Sequence, residues 1–223
     1  MVLHYFLLLN IILIKYLDLF EKDMKKHNAD YFVEQIQLYK NMYTHYKNTS
    51  CPSPIYTGIL NHGDTHCFYF PTNENVNLTW DVDLIYKKFL KFNTTRYISL
   101  KDFEKIFSSD LKESQEEIKR IYNSVKNIFP HTYNNILTIF FKPMHKNLIL
   151  DGRHRYIEFK KFKKNQLINF SYLNSEDIMD CIPTAFDLVK YIILNNLSEM
   201  KSFYDQKKNI ETMNFEFYGL SLF

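Results

Sequence analysis

The sequence predicts a mixed α/β (α+β) protein. Short apolar runs such as Ile136 to Phe141 alternate with longer segments of helical periodicity such as Ser114 to Phe129. Glycine and proline are sparse, four and six in 223 residues, so breaks between elements are few and informative. From Thr95 onward strand-like and helix-like segments succeed one another, the pattern of a sheet covered by helices.

Residues 3 to 47 carry neither Gly nor Pro and are rich in Leu, Ile, Tyr and Lys, which predicts two helices meeting near Lys22 to Asn28. The second, Asp30 to Tyr46, places Phe32, Ile36, Tyr39, Met42 and Tyr43 on one face. Cys51-Pro52-Ser53-Pro54 marks a boundary. Residues 55 to 60 and 66 to 70 are expected as short strands around the turn Asn61-His62-Gly63-Asp64, followed by a helix over Asp81 to Phe92. Tyr97 to Leu100 predicts a strand, Lys101 to Phe107 a short helix, and Ser114 to Phe129 a longer one with Ile118, Ile121, Tyr122, Val125 and Ile128 at helical spacing. Ile136 to Phe141 and Leu148 to Leu150 are apolar strands, Arg153 to Phe162 a helix, and Leu167 to Leu173 a strand that alternates Ile168, Phe170 and Tyr172. Helices over Ser175 to Met179 and Phe186 to Phe203 and an edge strand over Met213 to Tyr218 complete the chain. The expected organisation is an N-terminal helical and hairpin extension over 1 to 94, an α/β domain over 95 to 180, and a C-terminal helix and edge strand over 181 to 223 packed on that domain.

A net charge of +3 is too mild for a protein that coats nucleic acid. Its distribution is uneven: residues 142 to 164 hold eight cations against Asp151 and Glu158, a local excess of +6, so the remainder is net acidic. Cys51, Cys67 and Cys181 form no paired framework, which points to a reducing compartment, the cytoplasm. The apolar opening is interrupted by His4, Asn10, Lys15 and Asp18 and has neither the basic flank nor the cleavage site of a signal peptide; it is read as a buried helix, with a membrane anchor as the alternative.

The stretch Leu148-Ile-Leu-Asp-Gly-Arg-His-Arg-Tyr156 carries the chemistry. A strand that ends in Asp151-Gly152 and passes directly into a helix presents that helix's unpaired N–H groups and positive dipole end to an anion. Gly152 permits a close backbone approach, and Arg153, His154 and Arg155 add donors, of which arginine grips phosphate with paired hydrogen bonds. Phosphate is the ligand this pattern suits.

The segment Leu148 to Phe162 resembles the phosphate-binding turn of the ParB-like and sulfiredoxin-like superfamily: an apolar strand, a G-x-[HR]-R core and a helix beginning Arg-Tyr. The order of elements from about 95 to 175 is similar to that family's, whereas residues 1 to 94 match nothing in it. Sulfiredoxins carry a reactive cysteine in G-G-C-H-R, absent here, and partition proteins carry G-E-R-R with a helix-turn-helix that is not evident after residue 175. The family's free-serine kinases carry D-G-H-H-R, one position from the Asp151-Gly152-Arg153-His154-Arg155 of this chain. The resemblance implies a nucleotide (ATP, ADP or CTP) and Mg²⁺. It places Asp151 near the metal or acceptor hydroxyl and Gly152, Arg153, His154 and Arg155 on the phosphates, with His154 and Arg155 stabilising the transferred group. A glutamate near the first helices serves as base in those kinases; Glu104 and Glu113 are the candidates, with Glu113 preferred because it precedes a helix that opens with Glu116 and Glu117.

The expected function is therefore a nucleotide-dependent phosphotransferase or hydrolase acting on a small hydroxyl-bearing molecule, away from membranes. The alternative is a non-catalytic nucleotide- or nucleic-acid-binding module that uses the basic 142 to 164 segment. Lys160, Lys161, Lys163 and Lys164 read most simply as a solvated helix end, and Glu113, Glu116 and Glu117 as helix-start acids. His62, Asp64, His66 and Cys67 could hold a divalent ion on an extended segment, although Asn61 to Asp64 more readily forms a hairpin turn.

Overall fold

A computed structural model describes residues 12–26, 31–60, 63–69, 75–92, 94–126, 134–163 and 165–204. The expected edge strand over Met213 to Tyr218 and the first residues of the opening helix lie outside them, as does His62; the side chains of Asp64, His66 and Cys67 likewise fall outside the description. The chain is mixed α+β and divides into two compact units, one of residues 1–81 with 179–223 and one of residues 82–178.

The first unit begins with α1 (Ile12–Lys26) and α2 (Tyr31–Lys47), which pack on each other. The apolar face expected of α2 is buried: Phe32, Ile36, Tyr39, Met42 and Tyr43 are all almost fully enclosed. Strands β1 (Gly63–Tyr69) and β2 (Asn75–Asp81) pair antiparallel from Gly63↔Asp81 to Tyr69↔Asn75. The hairpin thus lies one segment later than expected. Residues 55 to 60 form no strand, because Pro54 and Gly58 break the run, and Gly63 starts a strand instead of turning one. The signal for β2 is its alternation, with Val76, Leu78 and Trp80 buried on one face.

The C-terminal helix α8 (Ala185–Tyr204) belongs to this unit, packed on α2 and β2, whereas the sequence led us to expect it on the 95 to 180 domain. Its seat is fixed by the segment read as a boundary: Pro52 bridges Thr184, Ser53 N–H donates to Pro183 O at 2.9 Å, and Ala185 N–H to Cys51 O at 3.0 Å. Cys51-Pro52-Ser53 is therefore a clasp inside one unit. No helix among the described residues is long and apolar enough to cross a membrane.

The second unit opens earlier than expected, at α3 (Val82–Phe92), since Ile85, Tyr86 and Phe89 of that helix are buried. Its sheet has the order β3-β6-β4-β5, from β3 (Thr95–Ile98), β4 (Ile136–Phe141), β5 (Lys146–Asp151) and β6 (Ile168–Asn174). β4 runs parallel to β6 and antiparallel to β5; β3 is antiparallel to β6. β4 is central and nearly continuously buried, which its unbroken Ile-Leu-Thr-Ile-Phe-Phe composition dictates. The tight β4–β5 connection runs through Lys142–Met144 and His145, whose φ of 50° reverses the chain.

Three helices precede β4: α4 (Leu100–Ile106), α5 (Ser108–Glu113) and α6 (Gln115–Ser124). Ser99 caps α4 by accepting from Asp102 N–H at 3.1 Å. The expected helix over Ser114 to Phe129 is shorter in its described part, leaving helical geometry at Val125. With α7 (Arg153–Phe162), these helices bury Phe103, Phe107, Ile121, Val125, Tyr156 and Ile157 against Ile136, Ile149, Ile168 and Phe170 of the sheet. This core holds the end of β5 and the start of α7 in place.

Candidate functional site

β5 ends at Asp151, opposite Leu137, immediately beyond a register shift in its pairing with β4. A bulge at a strand end re-aims the last side chain. Gly152 then takes φ 108°, ψ 19°, a region costly for residues with a Cβ, and α7 begins at Arg153. A Cβ at Gly152 would stand 2.9 Å from Arg155 Nη2 and 3.0 Å from Ile136 Cα, so only glycine lets Arg155 fold back over the turn. No side chain caps α7 at Gly152.

Arg155 is buried and its guanidinium spans the turn. Nη2 donates to Asp151 Oδ2 at 2.5 Å and to the Tyr86 hydroxyl oxygen at 2.8 Å. The Tyr86 hydroxyl in turn lies 2.8 Å from Asn135 O and 3.0 Å from Asp151 Oδ2, and its one proton serves one acceptor at a time. Asp151, Tyr86, Arg155 and the Asn135 carbonyl thus form one network that fixes the Asp-Gly turn. Among the described residues the second oxygen of Asp151 accepts no hydrogen bond, and the side chain is 28% exposed.

Beside this network is a cavity of about 360 Å³ lined by Ser124, Val125, Asp151, Gly152, His154, Arg155 and Glu158. His154 is exposed and Glu158 is 3% exposed, a buried carboxylate on the face of α7 that carries His154 and Arg155. Four of the residues singled out from the sequence are therefore brought together: Asp151, Gly152, His154 and Arg155.

Arg153 and Glu113 are not among the lining residues. Arg153 lies 3.5 Å from Asp110 Oδ2 and 3.7 Å from Glu117 Oε2. Asp110, on α5, is almost fully buried and also accepts from Ile149 N–H at 3.4 Å. Burial pushes its carboxyl up to about 6, against the opposing pull of Arg153 and the Ile149 N–H, with Glu113 and Glu117 adding repulsion. Glu113 pairs with Lys146 at 2.5 Å, at the far end of β5 from Asp151. The other glutamate candidate, Glu104, binds the Tyr156 hydroxyl at 2.7 Å and Lys160 at 2.8 Å on a different face of α7.

Sequence reasoning missed Tyr86 and Glu158. Tyr86 carries no local signal, being 65 residues before Asp151. Glu158 does: it stands four residues after His154, the spacing that puts both on one helical face.

Five of the eight cations of the basic segment pair with carboxylates within the fold. Lys142 pairs with Glu176, Lys146 with Glu113, Arg153 with Asp110 and Glu117, Arg155 with Asp151, and Lys160 with Glu104. Lys161 donates to the Tyr122 and Val125 carbonyls at the C-terminal end of α6. No protein-family model, curated protein or solved structure matches the chain.

Proposed function

We propose that the second unit is a ParB-like phosphate-binding domain that acts as a nucleotide-dependent phosphotransferase or nucleotide hydrolase on a small hydroxyl-bearing molecule in the cytoplasm. The observation that carries this reading is the cavity at the uncapped start of α7, where Asp151, Gly152, His154, Arg155 and Glu158 converge. A volume near 360 Å³ is at the small end of ligand sites and suits phosphate groups with a small acceptor, the nucleoside extending outward. The first-turn N–H groups and the helix dipole favour the phosphates, and the accessible His154 adds a donor. Arg155, fixed by Asp151 and Tyr86, supplies a preorganised positive charge.

The donor set fits Mg²⁺ only as an ion held chiefly by phosphate and water. Asp151 offers its unbonded oxygen, and among the described residues no group of three ligating side chains occurs. Bound there, Mg²⁺ would offset phosphate charge. In the transfer, the acceptor oxygen forms a bond to the terminal phosphorus while the bridging P–O bond breaks. The electron pair leaves with the shortened nucleotide, and the acceptor proton passes to a carboxylate. Glu158 is the better placed acceptor of that proton, because it lines the cavity and Glu113 does not. With water as acceptor the same steps give hydrolysis.

The nucleic-acid-binding alternative draws its support from the basic 142 to 164 segment, and the ion pairs that engage Lys142, Lys146, Arg153 and Lys160 weaken it. The test is product formation from ATP, ADP and CTP with Mg²⁺, with and without a panel of small alcohols including serine. Asp151→Asn should lower turnover by about a hundredfold or more while nucleotide affinity without metal changes little. Absence of phosphate release and acceptor modification with all three nucleotides would remove the enzyme reading.

A further inference from the structure

The other face of α7 borders a second, larger cavity of about 680 Å³, built wholly within the second unit by α4, α5, α6 and α7. At 100° per residue, Tyr156, Ile157 and Lys160 lie opposite His154, Arg155 and Glu158, so the two cavities share the helix as a wall without sharing a lining residue. Leu111, Ile118, Ile157 and the ring of Tyr122 give the larger cavity an apolar lining, and its size is that of a small-ligand site.

Its polar groups are arranged asymmetrically. Glu104, the Tyr156 hydroxyl and Lys160 are bonded to one another, Tyr156 to Glu104 at 2.7 Å, Lys160 to Glu104 at 2.8 Å and Lys160 to Tyr156 at 3.2 Å. Burial opposes ionisation of Glu104, but Lys160 and Tyr156 outweigh it and hold the carboxyl below its ordinary range. Burial, reinforced by Glu104, pushes the Tyr156 phenol up to about 12, so it stays protonated. The negative charge of Glu104 is thereby satisfied internally. Lys112 and Lys119, both exposed lining residues, have no ion-pair partner among the described residues. The lining carries three lysines against one glutamate, a net charge of +2 over an apolar interior.

We propose that this cavity binds a small amphipathic anion, with an aliphatic or aromatic body against Leu111, Ile118 and Ile157 and its carboxylate or comparable head at Lys112 and Lys119. The site is independent of the phosphate turn, because its lining excludes Asp151, Gly152, His154 and Arg155.

The test is calorimetric titration of the full chain with decanoate, 2-naphthoate and decyltrimethylammonium, each kept monomeric. At least one of the two anions should bind saturably at one equivalent, about tenfold or more tighter than the cation, and their ranking tells an aliphatic from an aromatic body. Lys112→Glu with Lys119→Glu should weaken the anion by about tenfold or more without lowering the thermal midpoint, since both lysines are exposed. Ile118→Trp should block the cavity, and His154→Ala should leave anion binding unchanged. No saturable anion binding, equal affinity for the cation, or affinity unaffected by both the charge reversal and Ile118→Trp would overturn the proposal.

Discussion

Gly152→Ala isolates the physical demand of the Asp-Gly turn. The φ of 108° lies where a Cβ is strained, which costs about 1–2 kcal/mol. The added methyl would stand 2.9 and 3.0 Å from the Arg155 Nη2 and Nε atoms and 3.0 Å from Ile136 Cα. A flexible side chain could yield, but Arg155 is held by Asp151 at 2.5 Å and Tyr86 at 2.8 Å, and Ile136 Cα is main chain of a central strand. Relieving those contacts costs about 1–3 kcal/mol, the scale of overpacking. Loss of unfolded-state freedom returns about 0.4–1 kcal/mol. The expected net destabilisation is about 2–4 kcal/mol, a fall of about 1–2 M in the urea midpoint of far-ultraviolet circular dichroism at an m-value of about 2 kcal/mol/M. The steric part should shrink when Arg155→Ala is added, so the double-mutant cycle should show a coupling of about 1 kcal/mol or more. A loss below about 0.5 kcal/mol, or strict additivity, would refute this account of the turn.

Asp110 gives a pH signature opposite in sign to that of an ordinary ion-paired carboxylate. With its folded pKa raised from 3.8 to about 6, the native chain holds a proton that the unfolded chain has released, so stability falls as pH rises through that window, by at most ~3 kcal/mol. Urea midpoints between pH 4 and 6.5 (about the span set by those two values) should show a slope that Asp110→Asn abolishes; identical slopes would show that Asp110 is ionised throughout. Tyr86→Phe removes the hydroxyl joining Arg155, Asp151 and the Asn135 carbonyl and should cost about 1–3 kcal/mol, read by the same unfolding assay, with no effect counting against the network. Glu158→Gln should slow phosphate release while Glu113→Gln leaves it unchanged; the reverse ranking would return the proton-accepting role to Glu113.

The elements around the turn were legible because their signals are local. Ile136 to Phe141 is apolar at every position but Thr138, and the helix expected over Arg153 to Phe162 has those same ends in the structure, with a glycine fixing its start. α5 was not, since Ser-Ser-Asp-Leu-Lys-Glu offers a single apolar residue; its anchor is the buried Asp110, whose partners Ile149 and Arg153 are some forty residues away. The same distinction divides the site. Asp151, Gly152, His154 and Arg155 share a few residues of chain and converge on one cavity, whereas the orientation of Arg153 toward Asp110 is decided by a helix that the local pattern does not mention. Assignment of α8 failed for a related reason: its apolar run, such as Tyr191 to Leu194, says that it is buried, but the partner is chosen by Cys51 to Ser53 and the aromatic face of α2.

The internal ion pairs of the basic segment bear on how this protein would meet any polyanion. A cation on a polyelectrolyte ligand gains by displacing condensed counterions, and each phosphate neutralised steepens the dependence on salt. Lys142, Lys146, Arg153 and Lys160 are already matched to carboxylates of their own chain, so docking a phosphate on any of them first requires that pair to open. The local excess of +6 therefore contributes less ion release than its size implies, and binding of RNA or DNA to this face would show a shallower plot of affinity against salt than a surface whose lysines are all unengaged. A single phosphate entering the cavity beside Gly152, as proposed, would open none of those four pairs.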